Sequence, residues 1–173
     1  YEWRLQTRNH VPATLKQPVW DGSFLNGKSI LIHAEQGFGD TIQFARYLSL
    51  VQILGGKVIL ECQKELMCLL RGFSGIDEFI EYTPACKPAI PFDVHLSLLS
   101  LPRIFGTTLE TVPADIPYIE VDSHLVAKWS KRVGNNNNFK IGIVWAGSPK
   151  NINDRNRSCT LADFAILGEI PGI

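Results

Sequence analysis

Short apolar runs alternate with amphipathic stretches in the first part of the chain, which predicts strands alternating with helices. The runs at 29–33 and 57–62 are largely apolar, as expected for strands buried in a parallel sheet. Between them, the stretch 41–54 predicts a helix, because apolar residues recur there at helical spacing, at Phe44, Ala45, Leu48 and Val51. Gly55-Gly56 then predicts the end of that helix.

The alternation continues with shorter segments. Residues 64–70 and 123–133 predict two more helices, while 79–82 and 93–96 predict a third and a fourth strand. Alternating strands and helices are typical of βαβ units. The pattern therefore predicts an α/β fold with a Rossmann-like parallel sheet and flanking helices.

A polar run around residues 135–139 predicts a domain boundary. Beyond it, 140–145 predicts another buried strand, and Thr160 is a candidate N-cap for a helix over 160–167. One strand, loop and helix are too few for a domain, so we expect the truncated start of a second, similar domain, and a sequence that is a fragment. The predicted division is an irregular lead-in at 1–28, an α/β domain at 29–134, a linker at 135–139 and the second domain at 140–173.

Composition narrows the classes of partner. Seventeen Lys and Arg residues balance seventeen Asp and Glu residues, so no excess positive charge favours nucleic acid. No apolar run approaches the roughly 20 residues of a membrane span, and the N-terminus has no signal-peptide pattern. We therefore expect a cytoplasmic location. The four cysteines lack the spacing of a zinc site, so no metal is expected.

The turn Gly37-Phe38-Gly39-Asp40 lies between the first predicted strand and helix. Glycines at such a place allow a sharp turn and a close approach to the helix N-terminus. A dinucleotide fingerprint would require a third glycine where Ile42 stands, and Asp40 would repel a pyrophosphate. Glu61, about twenty residues further on, keeps a nucleotide-binding oxidoreductase open as an alternative. Asp40 itself is a candidate general base or a helix cap.

The segment 33–47, which contains Glu-Gln-Gly-Phe-Gly-Asp at 35–40, resembles the signature of bacterial tetratricopeptide-repeat proteins that carry a heptosyltransferase-like domain. Further similar segments follow in the same order with similar gaps, at 60–63, 98–102, 141–148, 153–155 and 157–158. The resemblance covers nearly the whole chain. Residues 1–4 are similar to the end of the helical repeats that often precede this domain.

This resemblance implies the N-terminal half of a glycosyltransferase B-type fold, with the acceptor on the N-terminal domain and the nucleotide-sugar donor mainly on the C-terminal one. It implies that Asp40 is the catalytic base. The other acceptor-side candidates share the carboxyl edge of the predicted sheet: Glu35, Gln36, Gly37, Gly39 and, more weakly, His95.

The loop at 146–158 is the candidate for the donor phosphates. Small residues after the strand permit close approach of a ligand to the backbone, and the arginines can bind phosphate oxygens bidentately. The candidates are Ser148, Arg155, Arg157 and Ser158. Transferases of this type balance the diphosphate with protein cations and helix dipoles, so neither a metal nor a cofactor is implied.

The sequence thus predicts part of a glycosyltransferase that moves a hexosyl or heptosyl group from a nucleotide sugar to an acceptor hydroxyl. The acceptor is a glycan, a lipid-linked sugar or a protein, and upstream repeats would supply protein partners. The fragment alone is expected to be inactive. A non-catalytic interaction module with a glycosyltransferase-like fold is the main alternative.

Overall fold

The computed structural model describes residues 2–7, 15–83, 88, 90–134, 137–149 and 151–172. The chain divides into two units, Tyr1–Val121 and Asp122–Ile173. The domain division made from the sequence stays a prediction, and two residues of its linker, 135 and 136, lie outside the described residues. Within the described ranges, no helix combines the length and the apolar character needed to cross a bilayer.

The first unit is built on a four-stranded parallel sheet in the order β3-β2-β1-β4. The strands are β1 (Ser29–His33), β2 (Lys57–Cys62), β3 (Glu78–Glu81) and β4 (Val94–Ser97). The predicted α/β fold with a Rossmann-like parallel sheet is confirmed. The predicted bounds of β1 and β2 agree with the structure, and β3 and β4 are each displaced by one residue from theirs.

Four α-helices flank this sheet: α1 (Phe38–Ala45), α2 (Leu48–Ile53), α3 (Lys64–Leu70) and α4 (Leu101–Ile104), the last preceded by a 3-10 turn at Leu98–Ser100. The single helix predicted over 41–54 is wrong, because α1 and α2 are separate. The Tyr47 amide donates to the Phe44 carbonyl three residues back, at 3.1 Å, and this tighter bond interrupts the α-helical ladder. Tyr47 is buried there, so side-chain packing overrides the helical periodicity.

The helices pack on one face of the sheet, where the main core lies. Ile30, Ile32, Val58 and Leu60 point into it, and each is completely buried. Burying such a side chain contributes about 1.5–3 kcal/mol. The opposite face carries a smaller cluster of Leu31, Ile59 and Phe92. Alternate residues of β1 and β2 are thus buried on opposite faces, which explains why the centre of each strand is a continuous apolar run.

The stretch predicted as an irregular lead-in contributes to this core. Trp20 and Leu25 are buried in the main cluster, and Val19 forms a parallel bridge with His95 of β4. Residues Glu2–Gln6 form a 3-10 helix with no buried residue. Non-local contacts therefore order part of a segment that has no regular periodicity.

The second unit contains α5 (Ser123–Val133), as predicted, and 3-10 helices at Asp154–Asn156 and Leu161–Glu169. None of its described residues is buried. The strand predicted at 140–145 is absent: a strand requires a ladder of hydrogen bonds to a neighbouring strand, and the described residues of this unit form no strand. The helix predicted from Thr160 is present as the 3-10 helix. The apolar residues here line an open groove of about 540 Å³, bordered in part by Ile141, Ile143 and Phe164.

Candidate functional site

The strand order creates a topological switch point between β1 and β4. The chain runs from β1 outward to β2 and β3, and then returns to the other side of β1 as β4. Ligands of open α/β sheets bind beside the carboxyl ends of strands at such a point. His33 and Ser97 are the final residues of the two strands and are register partners. The segment from Glu35 to Asp40 follows β1 directly at this edge.

The turn before α1 differs from the one expected for two glycines. Gln36 has the left-handed conformation, with φ of 66°, whereas neither Gly37 nor Gly39 has a positive φ. A left-handed conformation at a non-glycine residue is strained and needs support from its surroundings. The Gln63 side chain, just after β2, gives that support: its Nε2 donates to the Gln36 carbonyl at 3.2 Å, and its Oε1 accepts from the Thr41 hydroxyl at 3.0 Å.

Asp40 caps α1. The Gly37 amide donates a hydrogen bond to Oδ2 of Asp40 at 3.0 Å, so the N–H group just before the helix has an acceptor. The other oxygen, Oδ1, has no hydrogen-bond partner among the residues that the structure describes. A Cβ built on Gly39 would meet nothing within 4 Å, so the first helical turn is open on that side. The carboxylate is therefore held by one oxygen and available through the other.

Glu35 belongs to a polar cluster that fills the edge between β1 and β4. Its Oε1 accepts from Nε of Arg4 at 3.1 Å and from Nη2 at 2.5 Å, and it also accepts from the Ser97 hydroxyl. Nη2 donates further to the Ser100 hydroxyl at 2.9 Å. Burial alone would lower the pKa of Arg4, but hydrogen bonds to Glu35 and Glu2, together with their charges, raise it above its ordinary value. The guanidinium therefore stays charged although its side chain is only 9% exposed.

Three titratable residues share the face of the sheet opposite the main core. His33 is the register partner of Glu61, and its ring centroid lies 5.6 Å from that of His95. Burial raises the pKa of Glu61 and lowers that of His95, so both neutral forms are favoured. Nδ1 of His95 is buried and has no partner within the described ranges. His95, the weaker acceptor-side candidate, thus lies within β4 beside Leu31 of β1, and not in the loop that follows β1.

The candidate donor loop is closed at its base. The Cys159 amide donates to the Trp145 carbonyl at 2.8 Å. The Ser158 hydroxyl accepts from the Gly147 amide at 3.1 Å and donates to Asp154 at 2.6 Å. A Cβ on Gly147 would lie 3.2 Å from Nη2 of Arg157, so the small residue leaves room for that cation beside the loop backbone.

The structure thus groups the sequence-derived candidates by unit. Glu35, Gln36, Gly37, Gly39 and Asp40 follow one strand end, while Ser148, Arg155, Arg157 and Ser158 share the loop of the second unit. Arg4, Ser97, Ser100 and Gln63 were not singled out as candidates from the sequence. Ser97 is the last residue of β4, and Ser100 ends the 3-10 turn that follows it. Both could have been found by treating the residues at the carboxyl end of every predicted strand as candidates. Nothing in local sequence signals that Arg4 reaches Glu35.

The described residues contain no group of three or more His, Cys, Asp or Glu side chains arranged to hold a metal ion. Comparison with protein-family models, with curated proteins and with solved structures finds no match for this chain.

Proposed function

We propose that this chain is part of a glycosyltransferase in which the loop after β1 binds the acceptor and Asp40 is the general base. The observation that carries the proposal is the state of the Asp40 carboxylate at the switch-point edge. One oxygen is fixed by the Gly37 amide, and the other is without a partner in the described part of the chain. A base needs this combination of fixed orientation and an accessible oxygen.

Charge supports the acceptor side for this edge. The N-terminus of a helix normally attracts phosphate, but Asp40 stands in the first turn of α1 and Glu35 three residues before that helix begins. The Asp40 carboxylate would repel a diphosphate and suits a hydroxyl group, which donates a hydrogen bond to it, whereas the charge of Glu35 is already paired with Arg4. In the proposed step, Asp40 removes the proton of the acceptor hydroxyl as its oxygen attacks the anomeric carbon, and the bond from that carbon to the nucleotide diphosphate breaks.

The loop at 146–158 is the proposed donor-phosphate site. Arg155 and Arg157 supply two cations, and Arg157 lies beside the backbone of Gly147. These cations would stabilise the charge on the leaving diphosphate. Ser158 already bonds Asp154 and Gly147, so it holds the loop in shape and has less capacity left for a phosphate. The resemblance to bacterial repeat proteins with a heptosyltransferase-like domain supports the same assignment.

The buried state of Glu61 speaks against the oxidoreductase alternative. A carboxylate that binds a ribose has to be ionised and open to the ligand. Glu61 is only 9% exposed, and burial raises its pKa. The interaction-module alternative has one observation in its favour: Arg4 fills the edge beside Glu35, where an acceptor would bind.

The test is a titration of the full-length protein that carries this chain with adenosine, uridine, guanosine and thymidine diphosphate sugars, followed by calorimetry. We expect one nucleotide series to bind, and Arg157→Ala to weaken that binding at least tenfold. Arg71→Ala, an exposed arginine of the first unit, is the control and should leave binding unchanged. Absence of binding in all four series would remove the transferase proposal and leave the interaction module.

A further inference from the structure

The polar cluster around Glu35 has the composition of a binding site for an arginine side chain. One carboxylate and two hydroxyls, from Glu35, Ser97 and Ser100, surround the guanidinium of Arg4. They come from the loop after β1, the end of β4 and the 3-10 turn that follows it. Two N–H donors of the guanidinium converge on one carboxylate oxygen, Oε1 of Glu35, and hydrogen bonds between charged groups are stronger than those between neutral ones.

The segment that supplies Arg4 is attached mainly through polar groups. Glu2–Gln6 has no buried residue, and Trp3 is 78% exposed. By contrast, the Arg4 side chain is 9% exposed. The neighbouring Glu2 accepts from the Ser100 hydroxyl at 3.2 Å and lies 3.7 Å from Nε of Arg103. Among the described residues, Glu2–Gln6 contributes two charged side chains to these contacts and no buried apolar residue, which is how many peptide ligands bind.

We propose that Glu35, Ser97 and Ser100 form a site for an arginine side chain presented on a peptide, with Glu2–Gln6 as its ligand in cis. Arg103 extends the site by pairing with an acidic residue two positions before the arginine, as it does with Glu2. The ligand class is therefore a peptide containing Glu-x-Arg, either this segment or one from another chain that displaces it. The inference does not depend on the transferase activity.

The cis segment explains how occupancy would be controlled. A ligand in the same chain competes intramolecularly, so a free peptide competes poorly until the Arg4 side chain is removed. The probe is a synthetic peptide of the segment's own sequence, acetyl-Glu-Trp-Arg-Leu-Gln-amide. Its matched control has citrulline in place of arginine, which keeps the shape and removes the charge.

The experiment measures peptide binding by calorimetry to the whole chain carrying Arg4→Ala, in the absence of nucleotide and sugar. We expect the arginine peptide to bind this variant at least ten times more tightly than the unsubstituted chain. The citrulline peptide should bind at least ten times more weakly, and adding Glu35→Gln to Arg4→Ala should reduce arginine-peptide binding to the same degree. Equal binding of the two peptides, or no binding to a folded variant, would overturn the proposal.

Circular dichroism establishes whether Arg4→Ala is folded. If it is not, Arg4→Lys replaces it, because lysine keeps a cation beside Glu35 while losing the planar set of N–H donors that Arg4 directs at Glu35, Ser97 and Ser100. The arginine peptide should then still outcompete the tethered lysine. A folded Arg4→Lys chain that does not bind the peptide contradicts the proposal. Unfolding of both variants would also contradict it, because Arg4 would then be required for folding and could not be a displaceable ligand. Since no nucleotide sugar is present, failure here is distinct from failure of the transferase proposal.

Discussion

Two helix starts in this chain have the same local design in different surroundings. At the first, the carboxylate of Asp40 accepts from the Gly37 amide at 3.0 Å. At the second, the carboxylate of Asp163 accepts from the Thr160 amide at 2.7 Å. Each aspartate is the third residue of its helix and follows an apolar run and a turn. The first run is a buried strand of a sheet, whereas the second, at 140–145, forms no strand.

The difference between the two helix starts shows which features depend on neighbouring residues and which depend on residues distant in sequence. A few neighbouring residues suffice to form a cap, so both starts have one. The first start is also held by side chains distant in sequence: Gln63 braces its turn, and Ser97 and Arg4 bond Glu35 beside it. Next to the second start, the Cys159 amide bonds the Trp145 carbonyl, but neither of these residues lies in a strand. A fixed position for a reactive group therefore depends on the sheet, and the following predictions test that dependence.

The largest expected effect on the free energy of unfolding comes from a substitution within the sheet. Leu60→Ala removes a completely buried side chain of β2 and should lower the free energy of unfolding by about 2–5 kcal/mol. The matched change Val144→Ala, at a residue 91% exposed, should alter it by less than about 0.5 kcal/mol. Urea denaturation followed by circular dichroism measures both. A comparable loss for Val144→Ala would show that residues 140–145 pack as a strand after all.

The contrast also shows what the sequence determines. Largely apolar runs identified β1 and β2 to the residue, and helical spacing identified α3 and α5, because these signals are local. The break between α1 and α2 depends on burial of Tyr47. The position of Arg4 beside Glu35 depends on a contact between residues that are 31 positions apart in the sequence. The strand predicted at 140–145 failed for the complementary reason, since an apolar run is a strand only with a neighbour. Asp40 and Glu35 could be singled out from the turn, but their partners could not.

A smaller effect is expected at the first cap. Asp40→Ala removes the acceptor of the Gly37 amide and should cost about 1 kcal/mol of stability. Asp40→Asn keeps an oxygen acceptor and should cost less than Asp40→Ala. Thermal unfolding measures the difference, and equal losses for the two variants would argue that the charge, rather than the hydrogen bond, stabilises the helix start.

The pH dependence of stability tests the buried face of the sheet. Burial raises the pKa of Glu61 above its ordinary 4.5, so the folded chain loses stability as pH rises from 4.5 through the folded pKa. Glu61→Gln should therefore stabilise the chain at pH 7 relative to pH 4, by a few tenths to about 1 kcal/mol. The exposed Glu120→Gln serves as control. Equal effects of Glu61→Gln at both pH values would contradict the burial of this carboxyl group.

His95 should act with the opposite sign. Burial lowers the pKa of His95. The contribution of His95 to the free energy of unfolding is therefore fully present at neutral pH, and it is lost as pH falls from the ordinary pKa of 6.5 through the pKa of the folded state. His95→Gln should flatten the stability profile between pH 7 and pH 5. His124→Gln, on exposed α5, should leave it unchanged. A profile that keeps its slope in His95→Gln would assign that slope to another group.

The smallest expected effect on stability is at Gly39. Alanine favours a helix over glycine by up to about 1 kcal/mol, and a Cβ there meets nothing within 4 Å. Gly39→Ala should therefore leave the melting temperature unchanged or raise it. If a ligand approaches this turn closely, the same change should raise KM for the acceptor. Unchanged kinetics would place the acceptor away from the first turn of α1.

The most direct test of the central claim is single-turnover transfer by the full-length protein, comparing Asp40→Asn with the unsubstituted enzyme. We predict that Asp40→Asn lowers the transfer rate at least a hundredfold, since a general base contributes about 10²–10⁴ in rate, while the Kd for the nucleotide sugar stays within twofold. A transfer rate that survives in Asp40→Asn, or a loss of donor affinity that accounts for the slower transfer, would contradict the assignment of Asp40 as the base on the acceptor side.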